Sequence, residues 1–175
     1  MNKVCILVIC MVSLLLLPLK GVAQESQTAY NFLRLPVSAR AAAVGGDGIA
    51  LIEDDASLIF HNPALLSSVS DKQLALNLMT YMAGSTTASA SFNRAVGERA
   101  TWAVSGQFMN YGTMKQTDAS GQQTGDFSAK DIAMAGYFSY MLSDRIAGGV
   151  TAKVVSSFIG DYSSWGVAFD LGLNY

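Results

Sequence analysis

The stretch Ser164-Trp165-Gly166-Val167-Ala168-Phe169-Asp170-Leu171-Gly172-Leu173-Asn174-Tyr175 decides the fold. Side chains of a β-strand alternate between two faces. Trp165, Val167, Phe169, Leu171, Leu173 and Tyr175 therefore share one face, and Gly166, Ala168, Asp170, Gly172 and Asn174 the other. The apolar face is continuous, whereas the second face is small and carries one charge. A strand of this length is about twice the usual 5–6 residues and reaches the ~9–11 that cross a bilayer.

Working back from residue 164, the same grammar recurs five times, and residues 72–175 contain no proline. Strands are predicted at residues 73–82 (Leu74, Leu76, Leu78), 86–95 (Ala88, Ala90, Phe92), 101–111 (Trp102, Val104, Phe108), 130–142 (Ile132, Met134, Phe138, Tyr140, Leu142) and 145–158 (Ile146, Val150, Ala152, Val154). Their alternate positions are mostly Ala, Gly, Ser, Thr and Asn, where a water-facing sheet would carry more Lys and Glu. A barrel interior packed around a plug favours such residues. Tyr81, Trp102, Tyr111, Tyr140, Trp165 and Tyr175 fall near strand ends, as interfacial girdles require. Connections at 96–100 and 143–144 are tight, and a long polar loop is predicted at 112–129. Long loops outside and short turns inside are the outer-membrane pattern, with the N-terminus periplasmic.

The fold class expected is all-β: a transmembrane outer-membrane barrel with an N-terminal plug of short helices and loops. Six strands fall short of the eight such barrels need, and an open sheet would leave its edges unpaired in lipid. The chain is therefore expected to be the N-terminal part of a larger barrel, although the aromatic Tyr175 resembles the end of a finished one.

Residues 1–23 read as a secretory signal peptide: Lys3, an apolar run from Val4 to Leu17, Pro18, and Gly21 and Ala23 before the cleavage site. The run is shorter than the ~20 residues a membrane helix needs. Residues 24–72 form the expected plug, and residues 73–175 the first part of the barrel. Within the plug, Ala39 to Val44 favours a short helix stopped by Gly45-Gly46. Asp54 or Asp55 can cap a turn at 56–60, and Asn62-Pro63 pairs an N-cap with proline at the first helical position.

Composition excludes several functions. The 175 residues are 51% hydrophobic and 14% charged, with 11 basic and 13 acidic residues, so a nucleic-acid partner is not expected. Mean hydropathy is +0.32. Both cysteines, Cys5 and Cys10, lie in the signal, leaving no thiol chemistry. One histidine, His61, forms no triad and reads as a structural hydrogen-bonding residue. No zinc spacing, Ser-x-x-Lys or G-x-G-x-x-G motif occurs, so neither an enzyme nor a cofactor is predicted.

The tract Asn31-Phe32-Leu33-Arg34-Leu35-Pro36-Val37-Ser38-Ala39-Arg40-Ala41-Ala42-Ala43-Val44-Gly45-Gly46 resembles the start of the PorV/PorQ family of type IX secretion outer-membrane barrels. Asp54-Asp55-Ala56-Ser57, His61-Asn62-Pro63-Ala64-Leu65-Leu66, Phe127-Ser128-Ala129-Lys130-Asp131-Ile132-Ala133, Gly149-Val150-Thr151-Ala152-Lys153 and Gly160-Asp161-Tyr162-Ser163-Ser164 continue the likeness, which is PorQ-like. The Asn-Pro-Ala element alone is shared with the wider FadL-like superfamily. The resemblance implies a FadL-like barrel of about fourteen strands in the outer membrane. It also implies a non-enzymatic role anchoring a PorZ-like surface protein of the cargo attachment complex, beside PorV/PorU-like components and outer-membrane lipid. The rival readings are a FadL-like channel for hydrophobic solutes and a soluble secreted β-sandwich.

Three groups of residues are candidates for sites. Arg40 with Asp54 and Asp55 is a possible ion-pair cluster anchoring the plug beside Asn62 and Pro63, with helix capping by an aspartate the plainer reading. Asp131, Lys153 and Asp170 project to the polar face, where Lys153 and Asp170 can pair across the fifth connection. A lumenal proton or solute path is the sharper reading of these three. Lys115, Gln116 and Asp118, in the predicted long loop, are the partner-contact candidates, with mobile surface filler the alternative.

Overall fold

A computed structural model describes residues 30–46 and 48–175, so the predicted signal at 1–23 lies outside the described residues. Six strands run β1 Leu74–Thr80, β2 Thr86–Val96, β3 Ala100–Thr117, β4 Gln123–Ser143, β5 Ile146–Ile159 and β6 Tyr162–Asn174. They form one antiparallel sheet in chain order, and the sheet is not closed: β1 and β6 pair on one side only. No helix among the described residues is long and apolar enough to cross a membrane.

Four of the six strands begin and end within a few residues of the periodicity reading, and β3 and β4 match it at one end only. The exception is the long loop expected at 112–129. It is a hairpin: β3 runs to Thr117, β4 starts at Gln123, and Lys115 pairs with Asp126 across the two strands. Its pairing with the rest of the sheet stops earlier, at Asn110 toward β2 and Ala129 toward β5. Beyond those points it is a two-stranded ribbon held by its own ladder. Since no core lies against it, its side chains need not alternate in polarity, and periodicity was blind to it. The ribbon leaves the sheet at a register shift between Asn110 and Thr113, where Gly112 adopts φ +80°. Glycine takes that conformation without the penalty other residues incur.

The polarity of the sheet is inverted relative to a water-soluble one. On β2, Thr87, Ser89, Ser91 and Asn93 are buried, whereas the apolar set stands on the opposite face. That outer face bears Leu171 at 85% exposure, Leu78 and Phe169 at 77% and Trp165 at 76%. Tyr111 departs from the girdle expectation. It turns inward, and its hydroxyl donates to Asp131 Oδ2 at 2.7 Å.

The N-terminal segment lies against the polar face. It comprises 3₁₀ turns at Asn31–Arg34, Leu58–Phe60 and Pro63–Ser68 and a short helix, α1, at Ala39–Ala43. The Ser38 hydroxyl caps α1 by accepting from Ala41 N, and the Gly46 N–H closes it on Ala41 O at 2.8 Å. Two apolar clusters join segment and sheet. In one, Ala56, Ile59, Leu66 and Val69 meet Ala103 and Tyr137; in the other, Phe32 meets Met109, Ala133 and Val155. The few apolar residues on the inner face are therefore those beneath the segment. Burial of Ile59, Leu66, Phe32, Met109 and Val155 contributes roughly 1.5–3 kcal/mol each.

Candidate functional site

The chemistry of this chain is concentrated where the segment docks onto the sheet. Irregular backbone presents carbonyls that no ladder satisfies. Polar side chains of the inner face meet them. Ser91 Oγ donates to Ala56 O at 3.0 Å, Asn93 Nδ2 to Ser70 O at 2.8 Å and Gln107 Nε2 to Phe32 O at 3.3 Å. Ser139 Oγ donates to Gly148 O at 3.1 Å and sits 3.4 Å from Ala64 O. The polar face of the sheet is thus a set of hydrogen-bond donors matched to the segment.

Asn62 and Pro63 are the centre of the contact. Asn62 Oδ1 accepts from Ala64 N at 3.0 Å, so it caps the turn as predicted, with Pro63 at the first helical position. Asn62 Nδ2 donates to Ile49 O at 2.7 Å and to Leu173 O, on β6, at 3.4 Å. The floor beneath them is bare, because Ser139, Gly149 and Gly172 fall in one cross-strand row. A methyl on Gly149 would sit 2.5 Å from Ala64 N and 2.6 Å from Pro63 O. On Gly172 it would overlap Asn62 Oδ1 and lie 2.9 Å from Pro63 Cδ. Glycine inside a strand often marks such a close approach, and that was the available signal for two residues that alternation counted merely as small.

The anchoring cluster expected of Arg40, Asp54 and Asp55 is not formed. Arg40 pairs with Glu53 at a largely exposed position. Asp55 Oδ1 instead accepts from Ser57 N at 2.8 Å and Ser57 Oγ at 2.6 Å, as capping required. Asp54 accepts from Ser70 N and Ser70 Oγ, at 2.6 and 2.5 Å, and from Gln73 Nε2 at 3.0 Å. The Ser70 hydroxyl and amide bonds hold the Asp54 carboxyl below its ordinary 3.8. Asp55 is satisfied two residues along the chain by Ser57, and Asp54 by Ser70 and Gln73 where the segment meets the start of β1, which leaves Arg40 to Glu53. Asp54 still has an anchoring role, since it ties the segment to the start of β1 through Ser70 and Gln73.

The lumenal candidates divide. Lys153 Nζ and Asp170 Oδ2 form the expected ion pair at 2.7 Å, with the lysine side chain 14% and the aspartate 43% exposed. Asp131 is buried elsewhere, bonded to Tyr111. The three carboxylate and ammonium groups do not form one continuous cluster. The Ala133–Val155 row, packed against Phe32, lies between Asp131 and the ion pair; Tyr137, in the row of Asp170, meets Ser105 Oγ with its hydroxyl at 3.0 Å and packs its ring edge-on against Phe60 at 6.2 Å. Among the described residues, no group of three or more His, Cys, Asp or Glu could hold a metal ion.

The hairpin residues are built rather than loose. Lys115 Nζ meets Asp126 Oδ1 at 3.0 Å. Asp118 Oδ1 closes the tip by accepting from Ser120 Oγ at 2.6 Å and from Ser120 N and Gln122 N at 2.9 Å. These bonds, the Ser120 hydroxyl first, hold Asp118 below its ordinary 3.8. Gln116 and Asp126 line a cleft of about 450 Å³ between the hairpin and the β5–β6 turn, together with Phe127, Asp161 and Tyr162. A second opening, about 340 Å³, lies between the Asn31–Arg34 turn and the β1–β2 connection, lined by Phe32, Leu35, Tyr81, Met82, Met109 and Tyr111.

A scan against models of protein families matches none of them, and a search of the curated proteins finds no match.

Proposed function

We propose that the chain forms part of a PorQ-like outer-membrane barrel, in which residues 30–71 are the plug and further strands complete the sheet at the β1 and β6 edges. The observation that carries this reading is the inverted polarity of the sheet: a largely apolar face outward and a donor-rich polar face inward on the segment. Water would make that outer face an aggregation hazard, whereas lipid makes it the stabilising surface. Its dimensions support the same reading. From Ile132 to Leu142, the outward run covers about 34 Å of strand, which at a ~40° tilt spans about 25 Å of membrane. Along β2 the run is bounded by Thr86 at one margin and Arg94 at the other.

The proposed role is non-enzymatic: a fixed membrane anchor in the type IX secretion system, holding a PorZ-like surface protein of the cargo attachment complex. The motif resemblance supports the family, and the ordered hairpin with Lys115, Gln116 and Asp118 supports a projecting contact surface. A second reading, a FadL-like channel for hydrophobic solutes, is favoured by the apolar opening at Phe32, Tyr81, Met109 and Tyr111. Its volume lies in the ~300–1,000 Å³ range of ligand sites. Gentle solubilisation of native outer membranes, with tagged protein and identification of what co-purifies, separates the two. Recovery of a large surface protein with secretion components supports anchoring. Recovery of the barrel alone with bound fatty acid supports transport, and recovery without detergent refutes both.

A further inference from the structure

The outer face of the sheet is not evenly filled. The register sets Leu78, Ala88, Phe108 and Ile132 in one cross-strand row and Leu76, Ala90, Gly106 and Met134 in the next. The result is an apolar groove of about 480 Å³, walled by the β1 leucines on one side and by Phe108, Ile132 and Met134 on the other. Gly106 lies in it. A methyl built there would meet nothing within 4 Å, and Gly106 is not among the glycines with positive φ. Neither packing within the chain nor backbone conformation therefore requires glycine, although glycine in a strand costs stability relative to alanine. Gly106 leaves the floor of the groove open between the β1 leucines and Met134.

The next row along the strands is polar: Thr86, Asn110 and Lys130. Lys130 is exposed on the outer face, two residues from Ile132, and makes no ion pair with the described residues. A lysine ammonium is a compact point charge suited to phosphate, and its aliphatic stem can lie along apolar surface with the charge at the interface.

We propose that this groove seats an acyl chain of an anionic, phosphate-bearing lipid, with the Lys130 ammonium on the phosphate. The proposal rests on the reading of the outer face as lipid-facing. The outward side chains of the two rows are apolar and Lys130 stands at the groove's polar end, which is the polarity of such a lipid. The site therefore distinguishes an anionic from a zwitterionic lipid by charge.

The test uses the protein purified from membranes in detergent and exposed to equimolar phosphatidylglycerol and phosphatidylcholine, with retained lipid read by native mass spectrometry. The wild-type protein retains the anionic lipid about fivefold over the zwitterionic one, the scale of one lysine at a charged surface. Gly106→Leu fills the groove and lowers retention of both lipids. Lys130→Gln equalises the two without abolishing either, and Lys130→Arg keeps the preference. Equal retention on the wild-type protein overturns the proposal, as does unchanged retention in Gly106→Leu or a bound polypeptide in place of lipid. Lys130→Gln, at an exposed position, keeps the test decisive if Gly106→Leu does not fold. Recovery of the protein without detergent brings down the membrane reading as well; membrane insertion without lipid preference brings down the groove alone.

Discussion

Gly172→Ala should loosen the N-terminal segment from the sheet. The added methyl overlaps Asn62 Oδ1 and approaches Pro63 Cδ to 2.9 Å and Ala64 N to 3.1 Å. Asn62 cannot retreat freely, because its amide also donates to Ile49 O at 2.7 Å and its carbonyl caps Ala64 at 3.0 Å. Losing the cap costs about 1 kcal/mol, and forcing a methyl into a filled contact costs about 1–3 kcal/mol. Alanine's advantage over glycine in a strand offsets about 0.5–1 kcal/mol. The net effect is a destabilisation of docking by about 1–3 kcal/mol, or roughly five- to hundredfold more frequent opening. Gly149→Ala should be worse, since its methyl meets backbone of Pro63 and Ala64 rather than a side chain. The assay is amide hydrogen exchange across residues 30–71, with Gly136→Ala as control, because a methyl there faces open space. Unchanged protection at 58–68 in Gly172→Ala, or loosening by the control to the same degree, would refute the reasoning.

Three further predictions follow from other contacts. Asp54 and Asp118 are held below their ordinary 3.8, so the stability they lend is fully present above that value and is lost as pH falls below it, through the lowered folded-state values. Amide exchange at Ser70 and at Ser120 and Gln122 should therefore stay protected down to about pH 4 and rise below it; Asp118→Asn should abolish the acid step at the hairpin tip alone. Asp170→Ala strands the more enclosed Lys153 and should cost about 1–2 kcal/mol, because water still reaches the site, whereas Lys153→Met should cost less; a double-mutant cycle in detergent unfolding reads the difference. Phe169→Arg, on the outer face, should lower stability in bilayers by about 2–4 kcal/mol, as charge does near the bilayer midplane, whereas a water-exposed position would tolerate it within ~0.5 kcal/mol.

How much of this could be read from residues alone follows from what burial does to each element. The strands beneath the segment were legible because their two faces meet different surroundings, and Trp165 to Tyr175 shows that contrast most plainly. The Thr113–Thr117 and Gln123–Ser128 arms were not, because both their faces meet the same surroundings and only backbone pairing orders them. Capping at Asp55 and Asn62 was legible in whole or part, being set within a few residues of chain. The partner of Arg40 was misread because Ser57, Ser70 and Gln73 satisfy the two aspartates first. The Asn62–Gly149–Gly172 contact joins positions about 90 to 110 residues apart. Alternation places the two glycines on the inner face but cannot say what covers them.

In the proposed barrel the outer face of the sheet meets lipid. The chain carries two tryptophans, Trp102 and Trp165, and both stand on that face. The most direct measurement is quenching of their fluorescence in vesicles by lipids brominated along the acyl chains, set against quenching by aqueous iodide. A lipid-facing sheet gives strong quenching by the brominated lipids and little by iodide. Strong quenching by iodide with none from the brominated chains would contradict it and return the sheet to water.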